Sequence, residues 1–409
     1  MSESLLVAGN TEVTRPENRA FFPALDGLRA VAFLMVFAQH FYHLPWGWTG
    51  VNGFFVLSGF LITGILFDSR DAPHRARTFY IRRTLRIFPL YYGIFLLLLV
   101  SQPLFHWQWS IGWAAWPLYL GNFLRFLTPL SMVPSTAQQL AGDAQLQSAV
   151  WPSIKLSMGH FWSLCVEEQF YLVWPWIVFQ IRSRRALLWL CGVVVVAMPL
   201  VRVLVNGHAP GWMLDGELLY RVTPFQLDSL LLGGLISLLY RGSWREQMLK
   251  LGHAMAWVLM AVAVVYCART FHVHEHNWRM SYVYPTWRLT WGLTFINLLS
   301  AALILSVLRP GGFLYRVFCL PPLRWLGRIS YGAYVFHGML HFLLYYLGSE
   351  RADAILLRHG PIFAAIARMR FEIGSLVLLG CTLLISWLSF RFFEGPIISL
   401  KNRWAPSEI

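Results

Sequence analysis

The sequence has little charge and less acid. Of its 409 residues, 13% are charged, with 19 acids against 33 Lys and Arg. So few charges cannot cover the surface of a water-soluble domain of this length, which argues against a soluble globular fold. Cysteine is also sparse: the five residues at 165, 191, 267, 319 and 381 are odd in number and unclustered. That excludes a disulfide framework and a cysteine metal site, and leaves buried free thiols. No internal repeat, low-complexity tract or appended soluble domain breaks the pattern. The opening "MSESLLVAGNTEVTRPENRA" lacks the apolar core of a cleavable signal, so the first span is expected to anchor the mature chain.

Apolar residues take the place of charge. They make up 57% of the chain, and mean hydropathy is positive. Apolar runs recur that are long enough to cross about 30 Å of hydrocarbon. The expected fold class is all-α, a polytopic transmembrane helix bundle of about ten spans. They fall near 24–44, 51–68, 87–105, 160–180, 186–205, 222–240, 251–269, 286–308, 329–348 and 371–392. The stretch 111–130 reads as an eleventh span or an interfacial helix. Residues 1–21 and 401–409 are expected as cytosolic tails around a membrane domain at 22–400. The larger share of basic residues falls in segments that this threading puts inside, among them Arg70, Arg75, Arg77, Arg82, Arg83 and Arg86. The positive-inside rule then gives both termini inside. The +14 net charge is therefore a topology signal. Arginines dispersed among short loops do not form a nucleic-acid surface.

An ionisable group at mid-bilayer costs about 2.5–3.5 kcal/mol or more, so one found there faces a cavity or a partner. In "ALDGLRAVAFLMVFAQHFYH", Asp26, Arg29 and His40 share one helical stripe, with His40 about three turns beyond Arg29. The plainer reading makes Asp26 a helix cap, Arg29 a snorkelling residue and His40 interfacial. "FYIRRTLRIFPLYY" gathers Arg82, Arg83 and Arg86 before the third span, with Pro89 near its start. Orientation alone calls for such arginines, but planar guanidinium groups at this spacing also suit phosphates at the inner mouth of a cavity. In "FWSLCVEEQFYLVWPW", Glu167 shares a side with His160, Tyr171 and Trp174, and Glu168 points about 100° away. By helical rise, Glu167 lies about 10 Å and His40 about 6 Å from the outer face. The two are expected to meet as general base and orienting carboxylate. Alternatively, the glutamates only hold helices together. Asp228, Tyr334 and His337 read as substrate-facing or structural polar groups, and Glu394 as an interhelical hydrogen-bonding or snorkelling group near the inner face. The alternating histidines of "HVHEHNW" (272–278) read as a possible metal site or as a plain outer loop; no cysteine supports a site there, and no metal is expected.

The ordered set "ALDGLRAVAFLMVFAQH", "GFFVLSGFLITGIL", "FYIRRTLRIFPLYY", "FWSLCVEEQFYLVWP", "FQLDSLLLGGLIS", "ISYGAYVFHG" and "FFEGPI" resembles the acyltransferase 3 family of multi-pass membrane O-acyltransferases. The resemblance implies transfer of an acyl group, usually acetyl from acetyl-CoA, to a hydroxyl of a carbohydrate or glycosylated acceptor. It implies residence in the bacterial cytoplasmic (inner) membrane. By this match His40 and Arg29 stand at the family's catalytic positions with Asp26 beside them. His40 would act as general base or transient acyl carrier. Arg82, Arg83 and Arg86 stand where the CoA phosphates are held, and Glu167 and Glu168 form the acidic pair. Cys165 departs from the pattern, where a small hydroxyl residue is common. Many members carry a further extracytoplasmic domain; with none in these residues, any second partner is expected to be a separate chain. Two rival classes fit buried charge as well. A transporter or flippase lacks support from any inverted repeat, and a membrane sensor would tolerate loss of His40 and the glutamates.

Overall fold

The computed structural model describes residues 22–42, 44–109, 111–124, 145–150, 155–209, 218–273, 287–340 and 361–405. Among these residues ten helices carry the fold: α1 (Pro23–Tyr42), α2 (Thr49–Asp68), α3 (Arg75–Val100), α4 (Trp162–Gln180), α5 (Arg184–His208), α6 (Leu227–Tyr240), α7 (Arg245–Val273), α8 (Leu293–Val307), α9 (Pro321–Met339) and α10 (Pro361–Ser389). Among the described residues, seven helical segments are long and apolar enough to cross a membrane. Three helices fall outside that set for visible reasons. Glu167 and Glu168 interrupt α4, α6 is only 14 residues long, and α9 carries Arg324, Arg328 and His337.

The helices sort into an inner and an outer group. α1, α2, α4 and α9 bury large rings, among them Phe33, Phe37, Phe55, Tyr171 and Trp174. α5 and α7 instead present Val193, Val196, Leu204, Val258 and Val265 outward. Apolar residues left open on a long helix are stable only against hydrocarbon. Without a hydrophobic drive between helices in lipid, close backbone approach matters more. α2 and α6 meet through glycines: a Cβ on Gly59 would lie 1.8 Å from the Leu230 carbonyl oxygen, and one on Gly233 2.0 Å from that of Val56.

The structure differs from the all-α expectation by one small sheet. Strand β1 (Trp107–Gln108) pairs antiparallel with β2 (Gln145–Ser148), which pairs antiparallel with β3 (Lys155–Ser157). The described part of the 111–130 stretch forms two short 3₁₀ turns at Ile111–Ala115 and Gly121–Phe123 rather than a long helix. Gln169 of α4 holds them, donating to the Tyr119 carbonyl at 2.6 Å and to Asn122 Oδ1 at 2.9 Å. The third helix begins at Arg75, not near residue 87, and Pro89 lies inside it. Proline is tolerated within membrane helices because neighbouring groups re-satisfy the freed carbonyl. Arg82, Arg83 and Arg86 are therefore fixed on a helix rather than carried by a loop. Residues 274–278 of the His-rich stretch lie outside the described residues.

Candidate functional site

A cavity of about 340 Å³ lies between α2, α3, α4 and α9, lined at its basic end by Arg75, Arg82, Arg83, Arg86, Arg29 and Lys401. Helical spacing explains the cluster. Arg75, Arg82 and Arg86 recur at intervals of seven and four residues along the first turns of α3, and Arg83 shares the next row. Arg82 Nε donates to the Ala405 carbonyl at 2.8 Å, so the segment expected as a tail folds back over this end. Arg29 is paired with Asp26 at 2.8 Å, one turn apart on α1. Asp26 itself does not line the cavity.

The two glutamates have separate partners. Glu167 lines the cavity and accepts a short hydrogen bond from Ser58 Oγ. Glu168 lies across from Arg83, with Nε to Oε1 at 3.8 Å. That is too long for a hydrogen bond, and both atoms are buried without a hydrogen-bond partner. The Arg83 guanidinium instead sits over the Tyr171 ring, 3.7 Å from its centroid, a cation–π contact that holds the fork in place. A guanidinium fixed by a ring in the cavity wall presents a planar fork that suits an acceptor of hydrogen bonds. Trp174 of the same helix reaches α2 as Glu167 does, donating from Nε1 to Thr63 Oγ1 at 2.9 Å.

Beyond the apolar end of the cavity lie three histidines. Ser163 and Tyr334 line that end and share a 2.6 Å hydrogen bond. The tyrosine hydroxyl also donates to the His160 carbonyl at 2.8 Å, which Ser163 Oγ approaches at 3.5 Å. His337 is fully buried behind them, and its Nε2 lies 2.9 Å from His40 Nδ1. His160 packs edge-on against His337, with centroids 4.8 Å apart and planes at 68°, and bonds the Val335 carbonyl through Nε2 at 3.1 Å. The structure thus differs from the expected meeting of His40 and Glu167. The partner at His40 Nδ1 is an imidazole, because α9 rather than α4 packs along the last turns of α1. Among the described residues no group of three His, Cys, Asp or Glu side chains has the geometry to hold a metal.

His160 fits because residue 338 is glycine. A Cβ there would stand 2.3 Å from both Cε1 and Nδ1 of the His160 ring. Gly338→Ala is expected to cost about 1–3 kcal/mol by overpacking, read as a lower thermal-inactivation temperature in detergent. Gly192→Ala, where a Cβ would meet nothing within 4 Å, serves as the control. Equal stability of the two variants would refute the close packing.

Asp228 stands apart from this site. Both of its carboxylate oxygens accept from Arg202, each at 2.8 Å, and Oδ2 also accepts from Asn297 at 3.1 Å. Arg202 further donates to the Phe225 carbonyl at 2.9 Å and to Thr294 Oγ1 at 3.0 Å. The set ties α5, α6 and α8 together, so of its two readings Asp228 takes the structural one. Glu394 is held by Ser389 Oγ at 2.8 Å, one turn away. The signal for Arg202 was in plain view as a lone arginine in "AMPLVRVLV". That for Ser58 was weak, since a serine in an apolar helix commonly bonds its own backbone.

The chain matches the family pattern described as "Acyltransferase domain" over residues 22–391. Peptidoglycan O-acetyltransferase OatA of Listeria monocytogenes serovar 1/2a (strain ATCC BAA-679 / EGD-e) is 26% identical over 407 residues, covering 93% of this chain and 56% of the relative. YrhL of Bacillus subtilis (strain 168) is 28% identical over 408 residues, covering 94% of this chain and 56% of YrhL. The chain therefore spans little more than half the length of these relatives. No solved structure gives a significant match.

Proposed function

The chain belongs to this acyltransferase family, and from that premise we propose that it is an integral-membrane O-acyltransferase moving an acetyl group from acetyl-CoA to a carbohydrate hydroxyl. The observation that carries the reading is the arrangement along one axis. A cavity walled by guanidinium groups at one end is followed by Ser163 and Tyr334, and then by the His40–His337 pair. Arg29 and His40 are eleven residues apart on α1, which by helical rise separates the two ends by about 16 Å.

In this reading Arg82, Arg83 and Arg86 hold the phosphates of acyl-CoA, with Arg75 and Lys401 adding charge at the same mouth. The acyl end reaches past Glu167 and Ser58 toward Ser163 and Tyr334. His40 takes the proton of the acceptor hydroxyl as its oxygen attacks the thioester carbonyl. The new C–O bond forms, the C–S bond breaks, and the imidazolium returns the proton to the leaving thiolate. A transient acyl group on His40 is the alternative route. The bundle crosses the bacterial inner membrane about ten times with both termini inside, as the distribution of basic loops supports. The donor would then enter from the cytosol and the acceptor from outside. The name of one relative makes a peptidoglycan glycan the first acceptor to assay.

The test follows radiolabelled acetyl from acetyl-CoA into glycan in membranes holding the wild-type protein, no protein, or His40→Ala. Label is expected only with the wild type. General-base loss costs about 10²–10⁴-fold, so His40→Ala should fall near background. Equal label in all three would end the assignment for that acceptor pool. Substrate uptake by sealed vesicles without CoA would replace it with transport.

A further inference from the structure

We infer that His337 is a positioning residue, which fixes the tautomer of His40 so that Nε2 is the nitrogen that takes the acceptor's proton. The inference rests on the acyltransferase reading above and assigns a role that the reading leaves open.

The hydrogen-bond chain determines the protons one after another. His337 Nδ1 lies 2.5 Å from the Tyr334 carbonyl oxygen. A carbonyl only accepts, so Nδ1 carries the hydrogen. His337 is enclosed by the rings of Phe33, Phe41, Tyr334 and His160. None of its described contacts is a carboxylate, and a charge there would be buried without compensation. A neutral ring with its hydrogen on Nδ1 has a lone pair on Nε2. That lone pair faces His40 Nδ1 at 2.9 Å, so His40 Nδ1 is the donor and its own lone pair lies on Nε2.

The ring geometry agrees. The two imidazole planes are within 7° of each other with centroids 5.0 Å apart, so the donor and acceptor nitrogens meet close to the common plane, where the lone pair points. His160 makes a different kind of contact: it meets His337 at a steep angle and spends Nε2 on the Val335 carbonyl. It therefore braces the pair without joining the chain. His337 acts on His40 in two ways. It holds the ring in one tautomer before reaction, and it accepts from Nδ1–H more strongly once Nε2 has taken a proton, since hydrogen bonds from a charged donor are roughly twice as strong.

The test compares two substitutions that differ in reach. His337→Asn places an amide where Nδ1 stands and can keep the Tyr334 contact, but it stops short of His40. His337→Gln extends to the position of Nε2 and can accept from His40. Transfer kinetics are measured on purified protein with acetyl-CoA and a soluble glycan acceptor, alongside His40→Ala. The expected result is a kcat about 10²-fold lower in His337→Asn, recovery to within about tenfold of wild type in His337→Gln, and an unchanged KM for acetyl-CoA in both. Wild-type kcat in His337→Asn, or equal kcat in Asn and Gln variants of equal thermal stability, would overturn the role of His337 while leaving His40 as the base. Full activity in His40→Ala would overturn the underlying mechanism itself, and the two failures are thus told apart.

Discussion

Arg202→Ala is expected to destabilise the protein by about 3–5 kcal/mol, the cost of breaking a buried ion pair from one side. The guanidinium is fully buried and Asp228 is 2% exposed, so removal leaves a carboxylate with only Asn297 to accept from. The Phe225 carbonyl and Thr294 lose their donor at the same time. The effect should appear as a lower thermal-inactivation temperature in detergent and reduced membrane yield. The paired change Arg202→Met with Asp228→Leu should recover most of the loss, since replacing both charges with apolar groups of similar volume is often neutral. An Arg202→Ala protein as stable as wild type would show that the pair contributes nothing.

The combined change Arg83→Ala and Arg86→Ala is expected to raise KM for acetyl-CoA by roughly 10²-fold or more. Each hydrogen bond to a charged group is worth about 1.5–3 kcal/mol, and two lost contacts set a lower bound of about two powers of ten. Arg29, Arg75, Arg82 and Lys401 stay on the same wall, so the loss is expected near that bound. Arg83→Lys separates charge from shape. A lysine keeps the cation but cannot lie over Tyr171 as a planar fork, so an intermediate KM is expected. Affinity should also weaken as ionic strength rises, because some of the attraction is screened. An unchanged KM in the double variant would remove the arginines from donor binding.

Much of the architecture was legible because apolar length is a local property. The runs around α1, α2, α5 and α7 could be read directly, whereas α3 was misjudged at one end. Its first turns carry arginines that look like loop, and Pro89 looks like a start signal, yet cavity-facing arginines are compatible with helix. Within the site, the residue types could be read but the pairings could not. Glu167 and His40 each announced themselves as polar groups in apolar helices. Which helix neighbours which is decided by packing, and α9 took the place along α1 that depth alone had given to α4. Ser58 carried too little local signal to be singled out, Arg202 stood in view without a visible partner, and Asp228 revealed its role only when that partner appeared.

The Ser163–Tyr334 bond has a consequence for the cell's energy economy. A path lined by arginines at one end and histidines at the other, open from face to face, would leak protons and anions and dissipate the gradients that the membrane maintains. In the proposed scheme one hydroxyl pair, anchored to the His160 carbonyl, stands between the two ends. In that scheme the barrier to leakage would rest on two side chains, so transfer across the bundle and an intact membrane would be compatible.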